Sequence, residues 1–126
     1  MVVIVDKEPH FVQSLTEYLS KEFPVIGFTC AEAALQYIEK NFHRIALCIT
    51  DNQMPQLNGI EFAKKVKSQD REIEVLLTCR FYDYNDFERL LKEQVINEFL
   101  QKPFSFETIY SKLQTRRKLV YKSKRF

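Results

Sequence analysis

The sequence predicts an α/β protein in which five parallel strands form one sheet with helices on both faces. Short apolar runs alternate five times with segments of helical periodicity, which is the pattern of repeated βα units. These runs lack polar alternation, as expected for parallel strands that are buried on both faces. A length of 126 residues fits one domain, and a charged fraction of 29% is ordinary for a globular protein.

The first half of the chain carries two βα units. The first strand is predicted at residues 2–5, and Pro9 suits the first turn of the helix that follows. The second strand is predicted at residues 25–28. Thr29 and Glu32 have the spacing of a capping box, which predicts the start of the second helix.

The second half carries three further strands, at residues 45–50, 73–78 and 98–101. Asn58 and Glu61 mark a helix start after the third strand. Right-handed crossovers restrict how such strands connect. Five strands in this length predict the flavodoxin-like order 2-1-3-4-5, a (βα)5 sandwich of three layers.

Polar residues end four of the strands, at the edge of the sheet where such folds bind ligands. They are Asp6, Asp51, Thr78 and Lys102. Each alone also fits a turn, a strand end or a solvated loop. Four polar residues at one edge favour a functional site over four independent structural roles.

Phosphoryl transfer to a carboxylate is the chemistry that this set suits. An anionic acceptor such as Asp51 needs positive charge nearby to meet an anionic donor, and Lys102 can supply it. Thr78 can donate a hydrogen bond to a phosphoryl oxygen. A Mg²⁺ ion would need the carboxylates of Asp6 and Asp51, a backbone carbonyl and waters.

Four segments resemble the signature segments of response-regulator receiver domains, in the right order and spacing. They are IVDKEP, CITDNQMPQLNGIEF, VLLTCR and FLQKPF, and the resemblance covers residues 1–115. It implies that Asp51 is the phosphoacceptor and that Thr78 and Lys102 are the switch hydroxyl and lysine. It also implies a cis Lys102–Pro103 bond.

The resemblance assigns two further roles. Phe99 falls where the family keeps an aromatic residue that swings inward when the threonine moves. The metal pocket would consist of Asp6, Asp51 and the backbone of Gln53. Phosphorylation would then switch the face made by the fourth helix, the fifth strand and the fifth helix, and a homodimer through that face is a family expectation.

Lys7 departs from the family pattern, which has two adjacent acids where this chain has Asp6 and Lys7. An ammonium cannot ligate a cation, so Mg²⁺ binding is weakened or lost. One hypothesis is that Lys7 reaches toward Asp51 and partly replaces the charge of the metal. The alternative is that Lys7 points to solvent and Mg²⁺ still binds. Arg80 is a second predicted modulator, because its long side chain could cover a bound phosphate.

The predicted function is signal transduction. A sensor histidine kinase or a phosphotransfer protein of a phosphorelay would supply the phosphoryl group to Asp51, and the domain would be regulatory rather than an enzyme. The alternative is a pseudo-receiver, an interaction module that does not depend on phosphorylation. A flavodoxin-like enzyme is disfavoured because residues 7–10 do not form a phosphate-cradling loop.

Charge and cysteine content limit the partners and the compartment. The net charge is +2, but the basic residues are concentrated at the end of the chain, in residues 116–126. We interpret this basic end as a helix end or linker beyond a receiver domain at residues 1–115. DNA contact is expected only through an output domain outside these residues. Three scattered cysteines and the lack of a long apolar run predict a reduced, cytoplasmic protein without membrane contact.

Overall fold

The computed structural model describes residues 1–81, 84–117 and 120, without the side chains of residues 84 and 85. It contains the predicted five-stranded sheet in the order β2-β1-β3-β4-β5, with every neighbouring pair parallel. The strands are β1 (Val2–Val5), β2 (Val25–Phe28), β3 (Leu47–Asp51), β4 (Glu74–Cys79) and β5 (Glu98–Gln101).

The helices cover both faces of this sheet. They are α1 (Pro9–Ser20), α2 (Ala31–Asn41), α3 (Gly59–Gln69), α4 (Tyr84–Lys92) and α5 (Phe106–Gln114). One core cluster packs the side chains of α2, α3 and α4 against the sheet, and a second packs those of α1 and α5 against its other face. Alternate residues of β1 contribute to the two clusters, which confirms the three-layer (βα)5 sandwich.

β3 and β4 begin later than predicted. In each case, the backbone N–H of the predicted first residue is hydrogen-bonded within a turn instead of in the sheet. The N–H of Ile45 bonds to Phe42 and closes a 3-10 turn, so β3 starts at Leu47. In the same way the N–H of Ile73 bonds to Asp70 after α3, so β4 starts at Glu74. Both β3 and β4 also end one residue later than predicted, which places Asp51 itself within β3.

The helix caps agree with the prediction at α3 and not at α2. The Asn58 side chain accepts a 2.8 Å hydrogen bond from the N–H of Glu61, as its spacing predicts. The prediction of a capping box at Thr29 and Glu32 is wrong. The chain stays extended through Cys30, which is the N-cap and makes no side-chain cap bond, so Thr29 lies one residue outside the cap.

Gly59 allows the start of α3 to lie directly against the end of β3. A Cβ atom at this position would be 2.4 Å from the backbone oxygen of Asp51 and 2.8 Å from Cα of Asn52. The N–H of Gly59 donates to the carbonyl of Asn52 at 2.9 Å. Only a residue without a side chain permits this approach, which fixes the loop that follows Asp51.

The start of the basic end packs on the domain. Arg116 pairs with Glu74 at 3.0 Å and with Glu98 at 2.8 Å. Arg117 pairs with Glu22 at 3.0 Å, and its guanidinium lies over the ring of Phe23. These two arginines thus contact the domain, whereas Lys118, Lys122, Lys124 and Arg125 lie outside the described residues. The domain boundary at residue 115 stays a prediction.

The three cysteines are free thiols, and Cys30 is the exposed one. Cys48 and Cys79 are buried, and burial raises the pKa of the Cys48 thiol to about 12. Within the described part of the chain, no helix is long and apolar enough to cross a membrane.

Candidate functional site

The carboxyl ends of the strands bring together the four polar residues predicted from the sequence. Asp6 and Lys102 directly follow β1 and β5, and Asp51 lies opposite Thr78 in the register of β3 and β4. Asp6, Asp51 and Thr78 are 1%, 4% and 1% exposed. Residues that are far apart in sequence therefore form one buried polar group at this edge of the sheet.

One ammonium group lies beside both carboxylates of this site. Lys102 Nζ is 2.8 Å from Oδ2 of Asp6 and 3.7 Å from Oδ2 of Asp51. The other oxygen of Asp6, Oδ1, accepts a 2.9 Å hydrogen bond from the backbone N–H of Glu8. Two buried negative charges can persist here because a cation lies within ion-pair distance of each.

The pKa of Asp51 lies above the ordinary value of an aspartate. Burial is the main cause, and the positive charge of Lys102 opposes it. The negative charge of Asp6 raises this pKa further, while a hydrogen bond from the backbone N–H of Gln53 and the charge of Lys7 lower it. The Asp51 carboxylate is consequently more basic than a solvent-exposed one, which suits an attacking group.

Thr78 holds the loop after Asp51 through its backbone rather than through its hydroxyl. Its carbonyl accepts a 2.8 Å hydrogen bond from the N–H of Asn52. Its hydroxyl donates only a long bond, 3.5 Å, to the carbonyl of Thr50. The hydroxyl can therefore rotate to a stronger acceptor beside Asp51 at little cost in hydrogen bonding.

Phe99 connects β5 to α4 at the edge of the same region. It is half-buried, and its ring centroid lies 5.1 Å from that of Phe87. In the sheet it pairs with Leu77, the residue before Thr78. A movement at the carboxyl end of β4 would thus directly change the contact between β5 and α4.

Among the described residues, Lys7 forms no ion pair with Asp51, and the hypothesis that it partly replaces the charge of the metal stays a prediction. Lys7 is exposed, and the ion pairs of Asp6 and Asp51 are made by Lys102. Asp6 is buried and accepts the N–H of Glu8, which forms the turn after β1. The positive charge of Lys7 lowers the pKa of Asp51.

The remaining predicted residues lie around the edge of the site. Gln53 is exposed, and its N–H donates to the Asp51 carboxylate, which leaves its carbonyl for another partner. Arg80 is also exposed, and its carbonyl accepts a 3.3 Å hydrogen bond from Gln101. The structure therefore places Arg80 beside the site without pairing it to either carboxylate.

The donor set fits a hydrated Mg²⁺ better than a tightly caged one. Among the residues described, no three His, Cys, Asp or Glu side chains cluster as a metal site. Mg²⁺ needs only one or two carboxylates and keeps several waters. Asp51, Asp6 and the Gln53 carbonyl meet that need, but both Asp6 oxygens already accept hydrogen bonds and Lys7 adds repulsion.

Phe11 is a site neighbour that the sequence analysis missed. Its ring lies under the Lys102 ammonium, with Nζ 5.0 Å from the ring centroid. A cavity of about 650 Å³ opens beside this contact, and its wall includes Arg80, Phe104 and Phe106. The sequence signal was the position of Phe11 in the first turn of the helix that starts at this edge.

The model of the response regulator receiver domain family matches residues 2–114. The chain belongs to this family. Its Lys102–Pro103 bond is cis, as the resemblance implied. The receiver domain is the regulatory domain of two-component systems, and the fold found here is that of its CheY-like members.

Curated relatives of this receiver domain are transcriptional and response regulators. The hydrogenase transcriptional regulatory protein HoxA of Cupriavidus necator is 29% identical over 82% of this chain and 21% of its own length. The heme response regulator HssR of Staphylococcus saprophyticus is 26% identical over 89% of this chain and 49% of its own length. This chain thus spans half or less of these relatives.

Solved receiver domains have the same fold. A response regulator receiver domain from Clostridium thermocellum superposes with a TM-score of 0.83 at 22% identity, over 94% of this chain and 97% of that one. The Vibrio cholerae chemotaxis protein CheY4 superposes with a TM-score of 0.80 at 26% identity, over 90% and 95% of the two chains.

Proposed function

We propose that Asp51 accepts a phosphoryl group from a histidine of a sensor histidine kinase or phosphotransfer protein. The observation that carries this proposal is the buried pair of Asp6 and Asp51, with Lys102 within 4.0 Å of both. Phosphotransfer needs a carboxylate that is basic, ionised and close to a fixed cation, and Asp51 is in that position.

In this reaction an oxygen of Asp51 attacks the phosphorus atom of the donor. A P–O bond forms, the P–N bond to the donor imidazole breaks, and the imidazole leaves with the bonding electron pair and takes a proton from solvent. Lys102 offsets the repulsion between the incoming phosphoryl oxygens and the carboxylates. The Thr78 hydroxyl, weakly bound to Thr50, is available as a donor to one of those oxygens.

Mg²⁺ would be held by Asp51, Asp6 and the carbonyl of Gln53. When bound, it neutralises charge on the phosphoryl oxygens. With Lys7 beside the site, more of this neutralisation falls to Lys102. We therefore expect phosphorylation to depend on Mg²⁺ only at higher concentrations than two adjacent acids would require.

The output is a change in the α4-β5-α5 face. A phosphoryl group on Asp51 draws the Thr78 hydroxyl toward it, and space opens for the Phe99 ring to move inward. Because Phe99 packs on Phe87, that movement alters the contact between β5 and α4. The phosphoryl group thus shifts the equilibrium between two conformations of this face.

The partners follow from the family. A cytoplasmic kinase or phosphotransfer protein is the donor, a homodimer through the α4-β5-α5 face is one output, and DNA is contacted only through an output domain. The transcriptional regulators among the relatives support the last point, since each is longer than this chain.

The experiment is a comparison of intact masses after incubation with phosphoramidate or acetyl phosphate, with and without Mg²⁺. Gain of one phosphoryl group by the wild type, and none by Asp51→Asn, is the expected result. No gain from a folded wild-type protein would overturn the proposal and favour a phosphorylation-independent interaction module.

A further inference from the structure

The Lys102 ammonium has a third neighbour besides the two carboxylates. Its Nζ atom lies 5.0 Å from the centroid of the Phe11 ring, which belongs to α1. Only 15% of the lysine side chain is exposed. At this separation, the negative face of an aromatic ring attracts a cation, and the attraction is larger where water is excluded.

Phe11 is itself held in place by two other rings. Phe104 meets it edge to face with centroids 6.0 Å apart, and Phe106 does so at 5.9 Å. Both lie in the segment that directly follows Lys102 and Pro103. The three rings therefore join α1 to the start of α5 directly beneath the lysine, and Phe11 has little freedom to turn away.

The two carboxylates lie at unequal distances from the ammonium. Asp6 lies 0.9 Å closer to Nζ than Asp51 does, at 2.8 Å against 3.7 Å. Attraction by Asp6 alone would draw the ammonium away from the phosphoacceptor. A ring face on one side of the ammonium limits its movement in that direction. Its N–H groups are then left to point toward the carboxylates and toward a phosphoryl group between them.

We propose that Phe11 is a positioning residue for Lys102: its ring face holds the ammonium where it serves Asp51 as well as Asp6. The contact is a property of the folded chain, whereas its effect on phosphorylation rests on the proposed function of Asp51.

The contact is tested directly by the NMR shifts of the Lys102 side chain. Protons above a ring face are shifted upfield, so the ε-methylene signals of Lys102 should lie upfield of those of the other lysines. Phe11→Leu should abolish this shift and Phe11→Tyr should retain it. Tyr18→Leu is the matched control, because it removes another half-buried ring of α1, one that packs on Phe106 and Tyr110.

The functional arm measures the rate of phosphorylation by phosphoramidate at saturating Mg²⁺. Phe11→Leu should slow it by about threefold to tenfold, the range that a partly desolvated cation–π contact supports. Phe11→Tyr and the control Tyr18→Leu should remain within about twofold of the wild type, below the effect of losing the contact.

The outcomes separate this proposal from the proposed function. An ordinary wild-type shift for Lys102 overturns it, even if Phe11→Leu does not fold. Equal slowing by Phe11→Leu and Tyr18→Leu overturns it as well, since the effect would then be one of packing. If the wild type takes no phosphoryl group but shows the upfield shift, the proposed function fails and the placement of Lys102 by Phe11 stands.

Discussion

Lys102 Nζ lies 2.8 Å from Asp6 and 3.7 Å from Asp51, so a single ammonium is shared by two buried carboxylates. Without it, two like charges would face each other in a region largely closed to water. The same lysine thus has a structural role in the resting domain and a chemical one in phosphotransfer, and the two can be measured separately.

Lys102→Met should lower the free energy of unfolding at pH 7 by about 3 kcal/mol, the low end for removing one partner of a buried ion pair. The loss should shrink toward pH 4 as Asp51, whose pKa is raised by burial, takes up a proton. Urea unfolding measures it. Lys64→Met is the control, because Lys64 is exposed and 3.9 Å from Glu61, and it should cost less than about 0.5 kcal/mol. Equal losses would contradict the shared-lysine account.

Asp51→Asn should stabilise the domain at pH 7. Folding raises the pKa of Asp51, mainly through burial, so the folded state binds the proton more tightly than the unfolded state. Ionisation therefore costs stability as the pH rises through the unfolded value of about 3.8, and the cost is complete above the folded pKa.

Urea midpoints between pH 4 and pH 7 measure this effect, and the gain of the Asn variant should fall as the pH falls. Glu39→Gln, an exposed change on α2, should shift stability by less than about 0.5 kcal/mol at every pH. An Asp51→Asn variant less stable than the wild type at pH 7 would show that the pairing with Lys102 outweighs burial.

Lys7→Asp should bind Mg²⁺ at least about tenfold more tightly than the wild type, because it replaces a repelling ammonium with a third carboxylate. Titration calorimetry measures the affinity, and the amide signal of Gln53 locates the ion. Lys7→Met separates the two causes, since it removes the charge and adds no ligand. If Lys7→Asp binds no better than Lys7→Met, position 7 does not face the metal.

Arg116→Gln should destabilise the domain by about 1–2 kcal/mol, since it leaves Glu74 and Glu98 without their guanidinium partner. Arg89→Gln is the matched comparison, because Arg89 pairs with Asp86 at 3.6 Å on the exposed face of α4. That change should cost less than about 0.5 kcal/mol. Equal and negligible costs would mean that residue 116 behaves as part of a linker.

The sheet and the site edge could be predicted because their signals are local. Each strand is a short apolar run, and Asp51 and Lys102 are polar residues at the ends of such runs. The predicted starts of the third and fourth strands, at residues 45 and 73, were too early. The N–H groups of these two residues bond to Phe42 and Asp70 in turns that precede the strands.

The contacts that depend on side-chain direction could not be predicted. The turn after β1 depends on a hydrogen bond from the N–H of Glu8 to the Asp6 side chain. The ion pairs of Arg116 join it to β4 and β5, whose positions relative to α5 only the assembled fold sets. In the same way, the placement of Phe11 beneath Lys102 depends on how α1 packs against the start of α5.

The most direct test of the central claim is chemical mapping of the phosphorylated residue. The protein is incubated with phosphoramidate and Mg²⁺, reduced with borohydride, which converts an aspartyl phosphate to homoserine, and sequenced by mass spectrometry. Homoserine at position 51, absent from a sample without phosphodonor, is the predicted result. Homoserine elsewhere, or none in a folded protein, would contradict the assignment of Asp51 as the phosphoacceptor.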